Sequence, residues 1–354
     1  MSAEIIPAEI HATPDAIRDT LVQSRAGAQA AAQAMRARSP RRIYLIGNGT
    51  SYYSSMAAAY TARLLAGEND PLVLAVPSGD FRYYAPALNP QDVVVGISAS
   101  GEFRDVLAVF ELLRGRCLTV GITHVRDSSI TRLADWLVYS AGGPSRVPVM
   151  TKTYASTLTA THLLLLEFFN APQAYLDDLA HTVERCAAAV DAAESRVPGI
   201  VAELSGFEHA FYFGAGNAYA ASLEGALKMK EMALLHAEGS ETWEMASGPA
   251  TIVSDKTFCT AMTSGDPQDG ETNSGAQKAH EWGARVLEIG PQAVVGDLHL
   301  PVAAPRYQAF ASLALVPPAA LLAYRSARAR GHNPDKPYWR ERYISQGMTH
   351  IIGE

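Results

Sequence analysis

Residues 42–52, RIYLIGNGTSY, set the reading of this chain, because their pattern returns at residues 209–219 as HAFYFGAGNAY. Each copy is a short apolar run that ends in Gly-x-Gly. The leading glycines, Gly47 and Gly214, define an offset of 214 − 47 = 167, and VVVGISASGE (93–102) faces TFCTAMTSGD (257–266) at nearly the same offset, 264 − 100 = 164. Two landmarks in step mark an internal repeat of long period. CLTVGIT (117–123) and RVLEIG (285–290) then take the third strand position, and WLVYS (136–140) and LHLPV (298–302) the fourth.

These runs are rich in Val and Ile, and amphipathic stretches lie between them, as at 54–65 and 103–113. Strands alternating with helices need parallel pairing and right-handed crossovers, with helices over both sheet faces. The predicted fold class is therefore α/β, as two tandem three-layer α/β/α sandwiches with parallel, flavodoxin-like sheets. Outward from the repeat, the chain divides into an N-terminal helical segment (1–36), a first sandwich (37–170), a linking helix (171–202), a second sandwich (203–330) and a C-terminal tail (331–354). The stretches 153–170 and 177–202 read as long helices that link and dock the two sandwiches.

The 354 residues carry 29 Lys+Arg against 36 Asp+Glu, a formal charge of −7, with 48% apolar and 18% charged residues. That composition excludes a disordered chain, and without a basic block it argues against a nucleic-acid partner. Cys117, Cys186 and Cys259 show no CxxC or Cys/His spacing, so no disulfide framework and no metal site is expected, and a reducing cytoplasm is the expected compartment. The acidic N-terminal stretch MSAEIIPAEIHATPDAIRD does not resemble a signal peptide. The most apolar stretches, 161–169 and 313–324, reach about half a bilayer, and Pro317 and Pro318 are expected to break the second, so no membrane crossing is predicted.

In open parallel sheets ligands bind beyond the carboxyl ends of the strands, which is where residues 47–51 and 98–102 should lie. Ile97-Ser98-Ala99-Ser100-Gly101-Glu102-Phe103-Arg104 ends a strand and opens a helix. Backbone N–H groups and the positive helix end would make it an anion site, with hydroxyls from Ser98 and Ser100 and with Glu102 in the first turn. An ordinary N-capped turn would have the same residues. Gly47-Asn48-Gly49-Thr50-Ser51 lacks a third glycine and an acidic residue after the next strand, so it is no dinucleotide fingerprint and no cofactor is predicted. It reads as a second loop over the same ligand. In LEGALKMKEMALLHAE (223–238), Glu224, Lys228, Glu231 and Glu238 follow one another at spacings of 4, 3 and 7 and share one face if the helix runs that far. A solvated stripe has the same spacing, but the apolar residues crowding this segment favour a cleft.

Together with Gly248-Pro249-Ala250, Gly214-Ala215-Gly216, SASGE and MTKTYAST (150–157), that helix resembles the double SIS (sugar isomerase) family, and within it the isomerase half of the glucosamine-6-phosphate synthases. The resemblance runs in order along essentially the whole chain. No glutaminase-like segment precedes it and no Cys follows the initiator Met, so ammonia from glutamine is not expected within this chain. The family moves a proton between C1 and C2 of a sugar through an enediol or enolamine. The resemblance implies that Glu231 carries this proton, with Lys228 one turn before it, and that Ser51, Ser98 and Ser100 hold the terminal phosphate. The same loops implicate Gly49, Thr50, Ala99, Glu102, Arg104 and Lys152 in substrate binding. A carboxylate in a closed cleft serves as base and then as acid.

Departures from the family pattern shape the substrate expectation. The family loop Ser-Gln-Ser-Gly-Glu-Thr has Ala99 and Phe103 here in place of Gln and Thr, which removes two anion contacts and moves weight from a phosphate toward a sulfonate head group, as in sulfoquinovose. Arg104 compensates unless the helix points it away. The family's ring-opening His is Ser247 here, so another group opens the ring, His236 being one candidate, or the substrate arrives open. The tail lysine has no clear match. Arg342 stands near its position, and Trp339, Arg340 and Arg342 either close over a ligand or dock the tail to a partner subunit. Tyr83 and Tyr84, beside Arg82, match a family segment near the dimer surface and read as architectural. The expectation is a metal-free, cofactor-free, homodimeric aldose–ketose isomerase of a hexose with an anionic C6 group. An amino-sugar-phosphate deaminase or sugar-amine-phosphate deglycase is the alternative. A sensor would carry one SIS unit and a basic helix-turn-helix, which this sequence lacks.

Overall fold

The computed structural model describes residues 4–85, 87–204 and 206–339. The chain forms two units, one of residues 15–180 and one of residues 4–14 with 181–337. In the first, β1 (Arg42–Gly47), β2 (Leu72–Pro77), β3 (Val93–Ile97), β4 (Leu118–Thr123) and β5 (Trp136–Tyr139) form one parallel sheet in the order β2-β1-β3-β4-β5. In the second, β6 (His209–Gly214), β7 (His236–Glu241), β8 (Thr257–Met262), β9 (Arg285–Gly290) and β10 (Leu298–Pro301) pair in parallel as β7-β6-β8-β9-β10. Both sheets therefore have the order 2-1-3-4-5 of a doubly wound flavodoxin-like fold. The repeat extends to backbone angles: Gly49 has φ 52° and ψ −126°, and Gly216, its counterpart in the second copy, has φ 55° and ψ −126°. A side chain is strained at such angles, so glycine is favoured where each first strand turns into its helix.

Each sheet has five strands where the sequence pattern showed four. The extra strand in each, β2 and β7, is an edge strand. An edge strand meets solvent on one side and needs no continuous apolar run: β7, HAEGSE, exposes His236 and Glu238 and buries Ala237 and Ser240, so β2, LVLAVP, has no apolar counterpart in the second copy.

The helices divide between the units differently from the predicted boundaries. The predicted N-terminal segment 1–36 is not one piece, because Ile5–His11 is fastened to the second unit. There, Asp335 accepts from the backbone N–H groups of Ile5 and Ile6 at 3.1 and 2.9 Å and from the Tyr324 hydroxyl, and Arg325 pairs with Glu4 at 2.8 Å. The predicted linking helix is two helices, Gln173–Ala180 and Thr182–Glu203, one in each unit, and the second packs on Ser312–Ala329 inside its own unit. Pro317 and Pro318 do not break Ser312–Ala329, which runs straight through them. With the turn before it, this is the one helix among the described residues long and apolar enough to cross a membrane, and it is buried nearly throughout as a core element.

The two copies differ in how the helix after β3, and its counterpart after β8, is packed. Arg104–Leu113 buries Val106, Val109, Phe110 and Leu113 against Tyr44, Ile46 and Phe81. Asp269–Glu281 buries only Thr272, Ala276 and Ala279. The smaller side chains leave a cavity of about 540 Å³ in the second unit.

Candidate active site

The Gly-x-Gly turn at the carboxyl end of β1 delivers Thr50 and Ser51 into the first helical turn of Thr50–Leu65, with Gly49 as its cap. Asn48 ties this turn to its neighbours, donating to Ser78 Oγ at 2.6 Å and to Asp105 Oδ2 at 3.2 Å. Beyond β3, the buried Ser98 hydroxyl accepts from the Gly101 and Phe103 N–H groups at 3.1 and 3.4 Å, and Ser100 Oγ accepts from Glu102 N–H at 3.2 Å. The loop amides expected to hold an anion thus bond to the serine oxygens, and a hydroxyl that accepts in this way keeps its proton for donation to a ligand. Ala99 offers no polar side chain; its carbonyl accepts from His124 N–H and the Thr123 hydroxyl.

Glu102 is not in the first helical turn. It precedes the helix, and its carboxylate accepts from Ser129 N–H at 2.7 Å, clamping the loop after β4. Arg104 opens the helix with an exposed side chain, and Lys152 opens Lys152–Phe168. Arg342 lies outside the described residues.

The serine loop borders a cavity of about 360 Å³ at the carboxyl ends of β3, β4 and β5, whose lining includes Ala99, Ser100, His124, Arg146, Met150 and Thr153. Its size suits a small polar ligand. The larger cavity of the second unit is a poorer candidate for a sugar, because its lining polar groups bond among themselves or to their own helix. Thr242 and Thr272 share a hydrogen bond at 2.8 Å, Ser274 donates to the Gly270 carbonyl, and Lys278 pairs with Glu281 at 2.7 Å. His124 is a residue that sequence reading missed. Burial pushes its imidazole down to about 4, so the ring is neutral at ordinary pH, and its Nδ1 lies 2.9 Å from Ser140 Oγ.

The second unit holds a cluster of charged side chains of its own. Asn217–Lys228 passes into a single π turn, Met229–Ala233, and Leu234 then adopts left-handed angles with φ 54°. π turns recur at functional sites. Lys228 Nζ lies 3.1 Å from Glu224 Oε1 and 2.7 Å from Glu231 Oε2. Lys228 and Glu224 are wholly buried, whereas the Glu231 side chain is 27% exposed. Burial pushes the Lys228 ammonium down, but the two carboxylates offset this and hold it above the usual lysine range. A buried lysine of this kind stays charged and holds one oxygen of the Glu231 carboxylate.

The structure does not extend this cluster to Glu238 or His236. The π turn and left-handed Leu234 end the helix, and both residues fall on β7. His236 is at the amino end of that strand with Nδ1 3.3 Å from His209 Nδ1, at the sheet edge opposite the one where such folds bind ligands. Among the described residues no group of three or more His, Cys, Asp and Glu is placed to hold a metal ion.

The SIS domain model matches residues 37–167. The glutamine–fructose-6-phosphate aminotransferase (isomerizing) of Methanothermobacter thermautotrophicus is 32% identical over 337 residues, which cover 93% of this chain and 55% of that protein. The chain thus spans about half the length of the curated relatives it matches. The C-terminal domain of glucosamine-fructose-6-phosphate aminotransferase from Francisella tularensis shares the fold with a TM-score of 0.85 at 23% identity, over 94% of this chain and 98% of that one. Tagatose-6-phosphate ketose/aldose isomerase from Escherichia coli does so with a TM-score of 0.76 at 20% identity, over 93% and 94%.

Proposed function

Because this chain belongs to the SIS-domain family, we propose that it is a sugar isomerase that interconverts aldose and ketose forms of a hexose carrying an anionic group at C6. The observation that carries the reading is the Lys228–Glu231 pair at 2.7 Å, with a buried, charged lysine holding one oxygen of a partly exposed carboxylate. A partly exposed carboxylate held in this way can take a proton from C2 of an open-chain aldose and return it to C1. The intermediate is an enediol, and no cofactor is required. Removing a positioned base of this kind costs about 10²–10⁴-fold in rate.

The hydroxyls of Ser98, Ser100, Thr50 and Ser51 would hold the C6 head group. A phosphate carries nearly two charges and a sulfonate one, and Ala99 contributes no donor, which favours the sulfonate within this reading. The activity of the Methanothermobacter thermautotrophicus relative, an isomerizing aminotransferase, supports the reaction class.

The test is proton exchange in heavy water with glucose 6-phosphate, fructose 6-phosphate and their 6-sulfonated counterparts. The wild type is expected to place deuterium at C1 or C2 of one pair, and Glu231→Gln to lose this by at least about 100-fold while still binding the sugar. Full activity in Glu231→Gln overturns the mechanism. Calorimetry with both head groups decides between them, and tighter binding of the phosphate excludes the sulfonate.

A further inference from the structure

Buried polar atoms are almost always hydrogen-bonded in folded proteins, so two without a partner at the wall of one cavity are an uncommon coincidence. The 360 Å³ cavity beside the serine loop has two, His124 Nε2 and Thr153 Oγ1. Thr153 is only 1% exposed. It is also the exception on its helix. Ser156, Thr157, Thr159 and Thr161 donate to carbonyls one turn earlier, at 2.8 to 3.0 Å, whereas Thr153 lies in the first turn, where no preceding turn offers one. Ser140 presents both its hydroxyl, at 2.9 Å, and its carbonyl, at 3.3 Å, to His124 Nδ1, and the Thr153 backbone also bonds to the ring. Nε2 meets no partner within hydrogen-bond geometry, and it donates or accepts according to which ring nitrogen carries the proton.

We propose that this cavity is a specificity subsite for the sugar, in which His124 Nε2 and the Thr153 hydroxyl hydrogen-bond to a sugar hydroxyl beyond the anionic head. The inference rests on the sugar-isomerase reading above. The cavity lies on the Ala99–Ser100 side of the loop, and Thr50, Ser51 and Ser98 do not line it. Alanine at position 99 adds no polar group of its own, so the unpartnered polar atoms beyond Ser100 come from the carboxyl end of β4 and from the Lys152 helix. Both are neutral, which suits an uncharged sugar oxygen. The Arg146 side chain is exposed at the cavity and therefore screened.

The test uses calorimetry on the full chain with glucose 6-phosphate, fructose 6-phosphate and their 6-sulfonated counterparts, and with inorganic phosphate and sulfate as probes of the head group alone. His124→Phe and Thr153→Val are each expected to weaken the bound sugar about tenfold, the size of one net hydrogen bond, and to leave the inorganic anion unchanged. Ser98→Ala is expected to weaken both. Thermal melting without ligand supplies an independent readout. Thr153→Val removes only an unpartnered hydroxyl, so the midpoint stays level or rises, whereas a structural hydroxyl would lower it. Equal losses for sugar and inorganic anion, unchanged sugar affinity in both variants, or a lowered midpoint for Thr153→Val each overturn the subsite. A wild type that binds none of the C6-anionic sugars overturns the sugar-isomerase reading, and the subsite with it; a wild type that binds one with both variants unaffected overturns the subsite alone.

Discussion

Lys228 has no access to solvent, and its ammonium is shared between a fully buried Glu224 and a partly exposed Glu231. Truncating it leaves the Glu224 charge buried without compensation, so Lys228→Met is expected to cost about 3–5 kcal/mol of stability, read from urea denaturation. Pairing it with Glu224→Leu replaces the buried ion pair by apolar side chains, and most of the loss should return. Activity should not return with it, because Glu231 still lacks its anchor. A double variant that is both stable and fully active would show that Lys228 has no positioning role. The spacings of 4 and 3 between Glu224, Lys228 and Glu231 were legible in the sequence because a helix and a single π turn both keep these residues on one side. The exclusion of His236 was not, because nothing in LKMKEMALLH announces a left-handed leucine at 234.

The turn that starts each sandwich is set by one glycine, at φ 52° in Gly49 and φ 55° in Gly216, with the same ψ of −126°. An alanine in that region costs on the order of 1–3 kcal/mol, so Gly49→Ala and Gly216→Ala should each lower the urea midpoint. Equal stability to wild type would mean that the turn relaxes into ordinary angles. The helices after β3 and β8 make a further comparison. Ala279 lines the 540 Å³ cavity, where the first copy is filled by Phe110 and Leu113. Ala279→Leu adds apolar area to existing empty space and should gain about 1 kcal/mol, visible as a higher melting temperature. A lower one would show that the cavity is too narrow for a branched side chain. The missing bulk in Asp269–Glu281 was visible in its composition, but only the sheet against which it packs shows that nothing else takes the space.

For the molecule as a whole, the long-period repeat was legible because buried strands need continuous apolar runs and glycine turns, and both recur at fixed spacing. The edge strand β7 was not, since a half-exposed strand carries a weaker pattern, and β2, though an apolar run, has in β7 no apolar counterpart to mark it as part of the repeat. The division of the N-terminal helices was not either, since it depends on Asp335 and Arg325, near the other end of the chain. Buried histidines are a second global feature that composition hides. Burial pushes His124 down to about 4 and His162, on Lys152–Phe168, down to about 3, while the unfolded chain binds its proton near 6.5. The unfolded state therefore takes up protons first as pH falls, and folded stability declines below pH 6.5, by about 1.4 kcal/mol per pH unit for each histidine. Between pH 6.5 and 5 this amounts to about 2 kcal/mol apiece. Carboxylates add their own acid limb, so the informative quantity is the difference between wild type and His162→Leu. That difference should grow steadily in favour of the variant as pH is lowered from 6.5 to 4 in urea-unfolding series. Parallel pH profiles for the two proteins would mean that His162 already binds its proton in the folded state.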